Sequence, residues 1–440
     1  RYPDDVSISV ETRVTPSTDS PVSVAAYEET ESGTQVMIRR LQAGVRDAAI
    51  FRRVPASTGS AVLVVEGTSG QSIEIAVDVQ AFDESSTTWS GQIEHYERRI
   101  EENGPTEPSG LTSGGYRIDV ESLSRGHLVT GFTDATGRVS IVHPRVREDE
   151  IRVFIVAERH DALTPVIVGP SPIHREPYRV PLYPVDTTRW RTQPDDISNA
   201  ALHIARVAGK TLKFAEPFIQ DRFQNSSEAF IRWRPLQAVE CGSCFIASES
   251  PYIELSGRRA DPDEWDRFVI AHETTHFLTA IFGRDDSPGG PHGQGRIEPT
   301  IAWSEGWATF FASVVLEQPI QDDWSAVGLR VTDLTSPLPD ALLGTANDEL
   351  SGDLSEYLVA HLLWGLYAGE SSDNAFDADP LGLDILITPV FGDLMTLERD
   401  QGVPGMDLSD YLYHLQCTNP GIDLSMQLER VDFPHSIECR

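Results

Sequence analysis

Residues 261–283 constrain this chain more than any other segment, because they are apolar on every side and still carry two histidines and a glutamate. Phe268, Val269, Ile270, Phe277, Leu278 and Ile281 surround His272-Glu273-Thr274-Thr275-His276 at helical spacing, and a helix greasy nearly all round is buried. Burying imidazoles and a carboxylate without partners is costly, so the three need something to bind. Residues four apart share a helical face, so His272 and His276 can offer two nitrogens to one metal ion, with Glu273 one step round. Neutral imidazole suits zinc, and a carboxylate beside zinc-activated water is a general base for hydrolysis. A core histidine satisfied by its neighbours is the bland alternative for either ring alone. The helix is expected to start with Asp261 as N-cap, Pro262 in the first position and Glu264 completing a capping box, and to stop at Gly283.

A third ligand is needed. The metzincin pattern requires Gly and His where this chain has Thr279 and Phe282, which removes that class. A second apolar helical run begins just after Pro299 and contains Trp303-Ser304-Glu305-Gly306-Trp307-Ala308-Thr309-Phe310. Its face of Ile301, Glu305, Ala308, Thr309 and Ala312 is small enough for two helices to pack closely around a metal. Glu305 is the only acid in that run before Glu317. A carboxylate there completes a His-His-Glu site with the fourth position left to water. Asp285 and Asp286 are rival ligands, but they fall in the turn directly after the first helix.

Across these two helices the chain resembles the gluzincin metallopeptidases. The first fits the longer zincin consensus, and Trp303 to Ala308 looks like the segment that carries the third zinc ligand in the aminopeptidase branch. The resemblance implies His272, His276 and Glu305 as zinc ligands and Glu273 as catalytic base. The match departs from the aminopeptidases in two ways. The stretch between His276 and Glu305 is longer, by an insert at residues 284–296, and the Gly-rich exopeptidase signature is absent. The nearest picture is a bacterial secreted gluzincin of uncharacterised type.

The insert contains Pro288-Gly289-Gly290-Pro291-His292-Gly293, and such Gly/Pro-rich loops are exposed and often functional. His292 at its tip could bind substrate or simply be solvated. Hydrolysis also needs a donor for the oxyanion, which related enzymes supply as Tyr or His from a later helix. Residues 355–367 read as such a helix, with Tyr357 and His361 four apart on one face; either could be the donor, and a plain packed helix would show the same pattern.

Formal net charge is −33, and Lys210 and Lys213 are the only lysines, which argues against nucleic acid or an anionic membrane as partner. Between Val331 and Glu429 a single base, Arg399, stands among many acids. That stretch reads as a solvated surface or as a wall favouring cationic peptides. Asp373, Asp377, Asp379 and Asp384 could hold calcium, although they do not form an EF-hand loop. No apolar run is long enough to span a bilayer. The chain begins at Arg1, from which a removed leader is expected. The four cysteines lack a second CxxC and a thioredoxin-like setting, so disulfides are expected, Cys241–Cys244 with Cys417–Cys439 foremost among three connectivities.

Along the chain, residues 5–84 read as β, with Ile73, Ile75, Val77 and Val79 alternating with polar or small residues. Gly67-Thr68-Ser69-Gly70 is expected to join that strand to the apolar run at 61–65 as a hairpin. Residues 90–115 read as a linker that opens with a short charged helix around 95–102. A second β unit follows, whose turn Thr133-Asp134-Ala135-Thr136-Gly137-Arg138 resembles that of transthyretin-like or carboxypeptidase-regulatory-like sandwiches. The catalytic region opens with a helix at 197–223 and short strands near 229–233, 244–247 and 252–255, and is expected to fold from about Thr187 onward. The expected organisation is a β-rich domain at 1–88, a linker at 89–115, a β-sandwich at 116–186 and an α/β, mainly helical zincin-like domain at 187–440. The expected function is that of a secreted or cell-surface zinc endopeptidase acting on protein or peptide substrates. The rival expectations are an aminopeptidase of the same type, and a surface-binding or adhesive protein whose metal site is structural.

Overall fold

The computed structural model describes residues 86–439 except 163, 220–227, 294, 326, 370–379, 397–400 and 435–438, and before them the strands between residues 6 and 81 as backbone. A β-rich N-terminal region precedes a helical one. The chain divides into two compact units that interleave along it: Arg1–Tyr96, Gly110–Val156 and Arg179–Asp196 form one, and Glu97–Ser109, Ala157–Tyr178 and Ile197–Arg440 form the other.

In the first unit, Val6–Pro16 is the middle strand between Arg46–Val54 and Ile73–Ala81, and Ser23–Glu29 is the middle strand between Gln35–Gln42 and Ala61–Glu66. The strands at 61–66 and 73–81 therefore lie in different sheets, and the expected hairpin does not form. Alternation identifies each as a strand but says nothing about which neighbour it pairs with. The segment expected as a charged helix is also strand: Ser86–Glu97 pairs antiparallel with Arg138–Pro144 and parallel with Arg189–Arg191. Ile93, His95 and Glu97 are buried while Gln92, Glu94 and Tyr96 are only half-buried, a period of two that the run of charges obscured. Short strands Ile100–Glu101, Gly104–Pro105 and Ser109–Thr112 occupy the rest of the expected linker. The Asp134 turn is present, its carboxylate accepting from the N–H groups of Thr136 (2.8 Å) and Arg138 (2.9 Å). It passes the chain from Gly126–Phe132, which pairs with Tyr116–Ser122, to Arg138–Pro144 in another sheet.

In the second unit Val166–Gly169, Ala229–Trp233 and Tyr252–Leu255 run parallel, and Cys244–Ile246 adds antiparallel to the last of them. Parallel neighbours need a crossover, and α1 (Asn199–Ala215) supplies it between the first two. Seven α-helices are described: α1, α2 (Arg267–Phe282), α3 (Pro299–Leu316), α4 (Glu356–Ala368), α5 (Leu383–Ile387), α6 (Leu408–Thr418) and α7 (Ser425–Arg430). A hairpin of Ile320–Ser325 and Gly328–Asp333 follows α3. Trp233, Trp303, Trp307, Phe268, Phe277 and Phe311 are fully buried and make the core around α2 and α3. Disulfides join Cys241 to Cys244 and Cys417 to Cys439. Among the described residues no helix is long and apolar enough to cross a membrane.

Candidate metal centre

α2 does not begin where the capping pattern at Asp261 placed it. Asp263–Trp265 is a separate 3-10 turn, and the chain then extends at Asp266, whose carboxylate accepts from the N–H groups of Phe268 (2.8 Å) and Val269 (3.1 Å). Trp265 is the reason in packing terms, since its ring is buried against His203 of α1 at a centroid distance of 5.4 Å. The helix interior resolves its own polar groups. Thr274, Thr275 and Thr279 donate to the carbonyls of Ile270, Ala271 and Thr275, which leaves the histidines as the groups that look outward from the helix.

α3 starts at Pro299, with the Glu298 side chain accepting from Ile301 N–H at 3.0 Å. It is locked to α2 by Trp307, whose indole N–H donates to Thr279 Oγ1 at 3.2 Å, and Trp303 stacks on Trp307 one turn away. This crossing sets Glu305 opposite the two histidines. His272 Nε2 and His276 Nε2 lie 3.1 and 3.2 Å from Glu305 Oε2 and 3.2 Å from each other. All three side chains are nearly buried.

The triangle fits a zinc ion. Tetrahedral zinc with bonds of ~2.0–2.1 Å places its ligand atoms about 3.3 Å apart. Two imidazole nitrogens turned toward one another also have no good interaction unless a proton or a cation lies between them. The other ring nitrogens are held as a ligand site requires. Ser304 Oγ donates to Asp285 Oδ2 (3.0 Å) and lies 3.2 Å from His276 Nδ1, so its one proton is committed and it accepts from Nδ1–H. In the neutral ring that leaves the lone pair on Nε2. Thr309 Oγ1 stands 3.3 Å from His272 Nδ1 in the matching role. Asp285, a rival ligand by sequence, therefore acts through Ser304 instead. Asp286 turns away, to Arg284 and to the N–H of Met406 at 2.8 Å.

Electrostatics follow from the burial. Desolvation opposes charge on Glu305, but the two histidines hold its carboxyl well below the usual carboxylate range. Desolvation likewise disfavours protonated His276, yet Glu305 outweighs it and pushes the ring up to about 10. Burial raises the carboxyl of Glu273, and His272, His276, Glu305 and His292 are the titratable groups that act on it.

Both expected oxyanion donors, Tyr357 and His361, lie on α4. α4 forms as expected, with Ser355 Oγ accepting from Tyr357 N–H at 3.2 Å, but the Tyr357 hydroxyl accepts from Arg330 of the hairpin at 2.6 Å. Burial lowers His361, against the opposing effects of the Leu334 backbone and Asp333. The loop histidine is the one that arrives: His292 Nδ1 is 3.2 Å from Glu356 Oε2 and 3.7 Å from Glu305 Oε2.

Asp373, Asp377 and Asp379 lie outside the described residues, and Asp384 is on α5. A different acidic group gathers instead: Asp261, Asp263 and Asp323 bring one oxygen each within 4.8 Å of one another. Burial, with Asp261 adding to it, pushes Asp263 up to about 9, so that carboxyl is neutral at pH 7 and repulsion is relieved without a cation. Asp323 is distant in sequence from Asp261 and Asp263, and no local pattern marks the three as a group.

Compared with known proteins, the chain matches no family model and no curated protein.

Proposed function

We propose that this centre belongs to a zinc-dependent endopeptidase of gluzincin type, with His272, His276 and Glu305 as ligands and Glu273 as general base. The observation that carries the reading is the triangle of two Nε2 atoms and one Oε2, 3.1–3.2 Å on a side, with the buried carboxylate of Glu273 next to His272 on the same helix. Bound there, zinc supplies Lewis-acid chemistry, polarising a carbonyl and making water nucleophilic near neutral pH. The chain's own residues do the rest. Glu273 takes the proton of the attacking water and passes it to the leaving amine, and its burial moves its pKa toward the working range of a base. Ser304, Asp285 and Thr309 fix the imidazoles, and the apolar packing of α2 and α3 keeps bulk water from the ligands.

The surrounding elements suit a zincin-like domain. Cys244–Ile246 ends the strand order of its sheet, and its Phe245 ring meets Phe277 of α2 at 6.4 Å. An extended peptide added to that strand would lie along α2. Two disulfides suit an oxidising, extracellular setting. The β-rich N-terminal part, with its transthyretin-like turn, would serve as a spacer or docking module.

The test pairs zinc content with cleavage of denatured casein, for the native chain and for Glu273→Gln. One zinc per chain is expected in both, with cleavage lower by roughly a hundredfold or more in the variant, on the scale of general base catalysis. Near-normal turnover in Glu273→Gln would move the base elsewhere. A zinc-loaded native chain inert on casein would favour a structural site in a binding protein.

A further inference from the structure

Cys241 and Cys244 are 3 residues apart, against 22 for Cys417 and Cys439, so their disulfide restrains the unfolded chain the less of the two. Its effect is local, and its place in the fold decides what it acts on. Cys244 is the first residue of Cys244–Ile246, which ends the strand order of its sheet and pairs with Tyr252–Leu255. Phe245 follows, its ring meeting Phe277 of α2 at 6.4 Å, and Phe277 is the residue after the proposed ligand His276. Ser243, inside the ring, accepts from Ser256 N–H at 3.0 Å and donates to Asp263 Oδ2. The ring is thus seated between the end of the partner strand and the turn ahead of α2. Its other side is open: Cys241 is exposed, and a Cβ on Gly242, at φ +80°, would meet nothing within 4 Å.

We propose that the Cys241–Cys244 disulfide is a removable clamp that positions Cys244–Ile246 to receive an extended peptide substrate, and that opening it weakens substrate binding while sparing the metal ligands. The proposal rests on the peptidase reading and gives the CxxC motif a task in it. A peptide joins an end strand through main-chain hydrogen bonds, and these cost least when the strand is already extended and held against its neighbour. With the ring closed, Cys244 enters the strand fixed. With it open, the backbone ahead of Phe245 must be ordered at each binding event, and that cost is subtracted from affinity. Cys241 is exposed and Cys244 half-buried, so a dithiol reductant attacks at Cys241 Sγ. The Sγ–Sγ bond breaks and Cys244 leaves as a thiolate that takes up a proton. The reductant's second thiolate then closes its own disulfide and releases Cys241, so two electrons pass to the chain and the dithiol is oxidised. The disulfide carries no chemistry of the cleavage itself and acts through the strand.

The test compares the zinc-loaded full chain with two paired variants, Cys241→Ser with Cys244→Ser and, as control, Cys417→Ser with Cys439→Ser. Zinc content, KM and kcat on denatured casein, and amide exchange across residues 244–255 are read in each. Opening the first disulfide should raise KM about tenfold, the scale of ordering one residue's backbone, with kcat and zinc content little changed. Amide exchange at residues 244–246 should quicken in the same variant, and the control should leave KM as it is. Dithiothreitol, added to the native chain with zinc in excess, should reproduce the rise in KM, and reoxidation should reverse it. Should the first serine pair not fold, this reduction carries the test alone, with alkylation and mass spectrometry identifying the opened cysteines. An unmoved KM once Cys241 and Cys244 are opened, an equal rise in the control, or a fall in kcat together with loss of zinc would each overturn the proposal. A native chain inert on casein defeats the peptidase reading and the clamp with it, whereas cleavage with an unmoved KM defeats the clamp alone.

Discussion

Before zinc enters, His276 and Glu305 face each other as a cation and an anion, with His276 pushed up to about 10 and Glu305 held low. Zinc must therefore displace the Nε2 proton of His276 at any pH below about 10, so uptake should release a proton and weaken as pH falls. Calorimetry in buffers of different ionisation enthalpy measures that release; none at pH 7 would mean that His276 is already neutral. Ser304→Ala removes the acceptor that fixes His276 and should lower zinc affinity about tenfold to a hundredfold, the usual effect of losing such support. Competition with a chromogenic chelator reads this directly. Asp263 runs the other way. Its folded pKa, about 9, is above its unfolded value, so the proton it keeps favours the fold below the unfolded pKa, and that stability is lost as pH rises toward 9. Asp263→Asn should thus be more stabilising at pH 8 than at pH 5, by on the order of 1–3 kcal/mol. Equal urea midpoint shifts at the two pH values would count against a buried, raised carboxyl. The proposed ligands were legible because HExxH spacing and one acid in a helical run are local signals. Asp285, Ser304 and the oxygens of Asp261, Asp263 and Asp323 were not, since their roles exist only once helices and loops meet.

At the scale of elements, the close contact between α3 and α4 governs the site. Gly306→Ala would force a methyl into Val359 and the Glu356 carbonyl, an overpacking expected to cost about 1–3 kcal/mol. It should also reduce zinc affinity, because Glu305 is the adjacent residue. A variant with native melting temperature and native zinc affinity would show that α4 can retreat freely. Sequence periodicity located α2, α3 and α4 within a few residues, since each combines apolar faces with a stop or cap. It misplaced the start of α2 because two aspartates five residues apart can each cap a helix, and the burial of Trp265 selects the second. It misread residues 95–102 because a charged run in which half-buried residues alternate with the buried His95 and Glu97 resembles a solvated helix.

For the whole molecule, chain order and spatial order diverge. The second unit draws in Glu97–Ser109 and Ala157–Tyr178 from within the β-rich part of the sequence. Val166–Gly169 pairs along Ala229–Trp233, and Glu97 forms an ion pair with Arg206 of α1. A chain beginning at Thr187 would lose both and leave the inner strand of that sheet with an open edge. It should therefore fail to fold cooperatively and bind no zinc, whereas on the proposed reading the full chain should do both. A cooperative melt and stoichiometric zinc in the shortened chain would show that those strands are dispensable.

By itself the sequence determined the residue types of the proposed centre: two imidazoles and a carboxylate on one buried helix and a carboxylate on the next, in an acidic chain with an even set of cysteines. It also fixed most strands and helices, because alternation and helical spacing are properties of neighbouring residues. Only the tertiary structure decided which strands share a sheet, where the compact units divide, and which polar group stands beside the centre. Pairing depends on free energies between segments distant in sequence, and no local pattern encodes them. His292 illustrates this most clearly: in sequence it is one histidine in a Gly/Pro loop, and in the fold its Nδ1 stands 3.2 Å from Glu356 Oε2 and 3.7 Å from Glu305 Oε2.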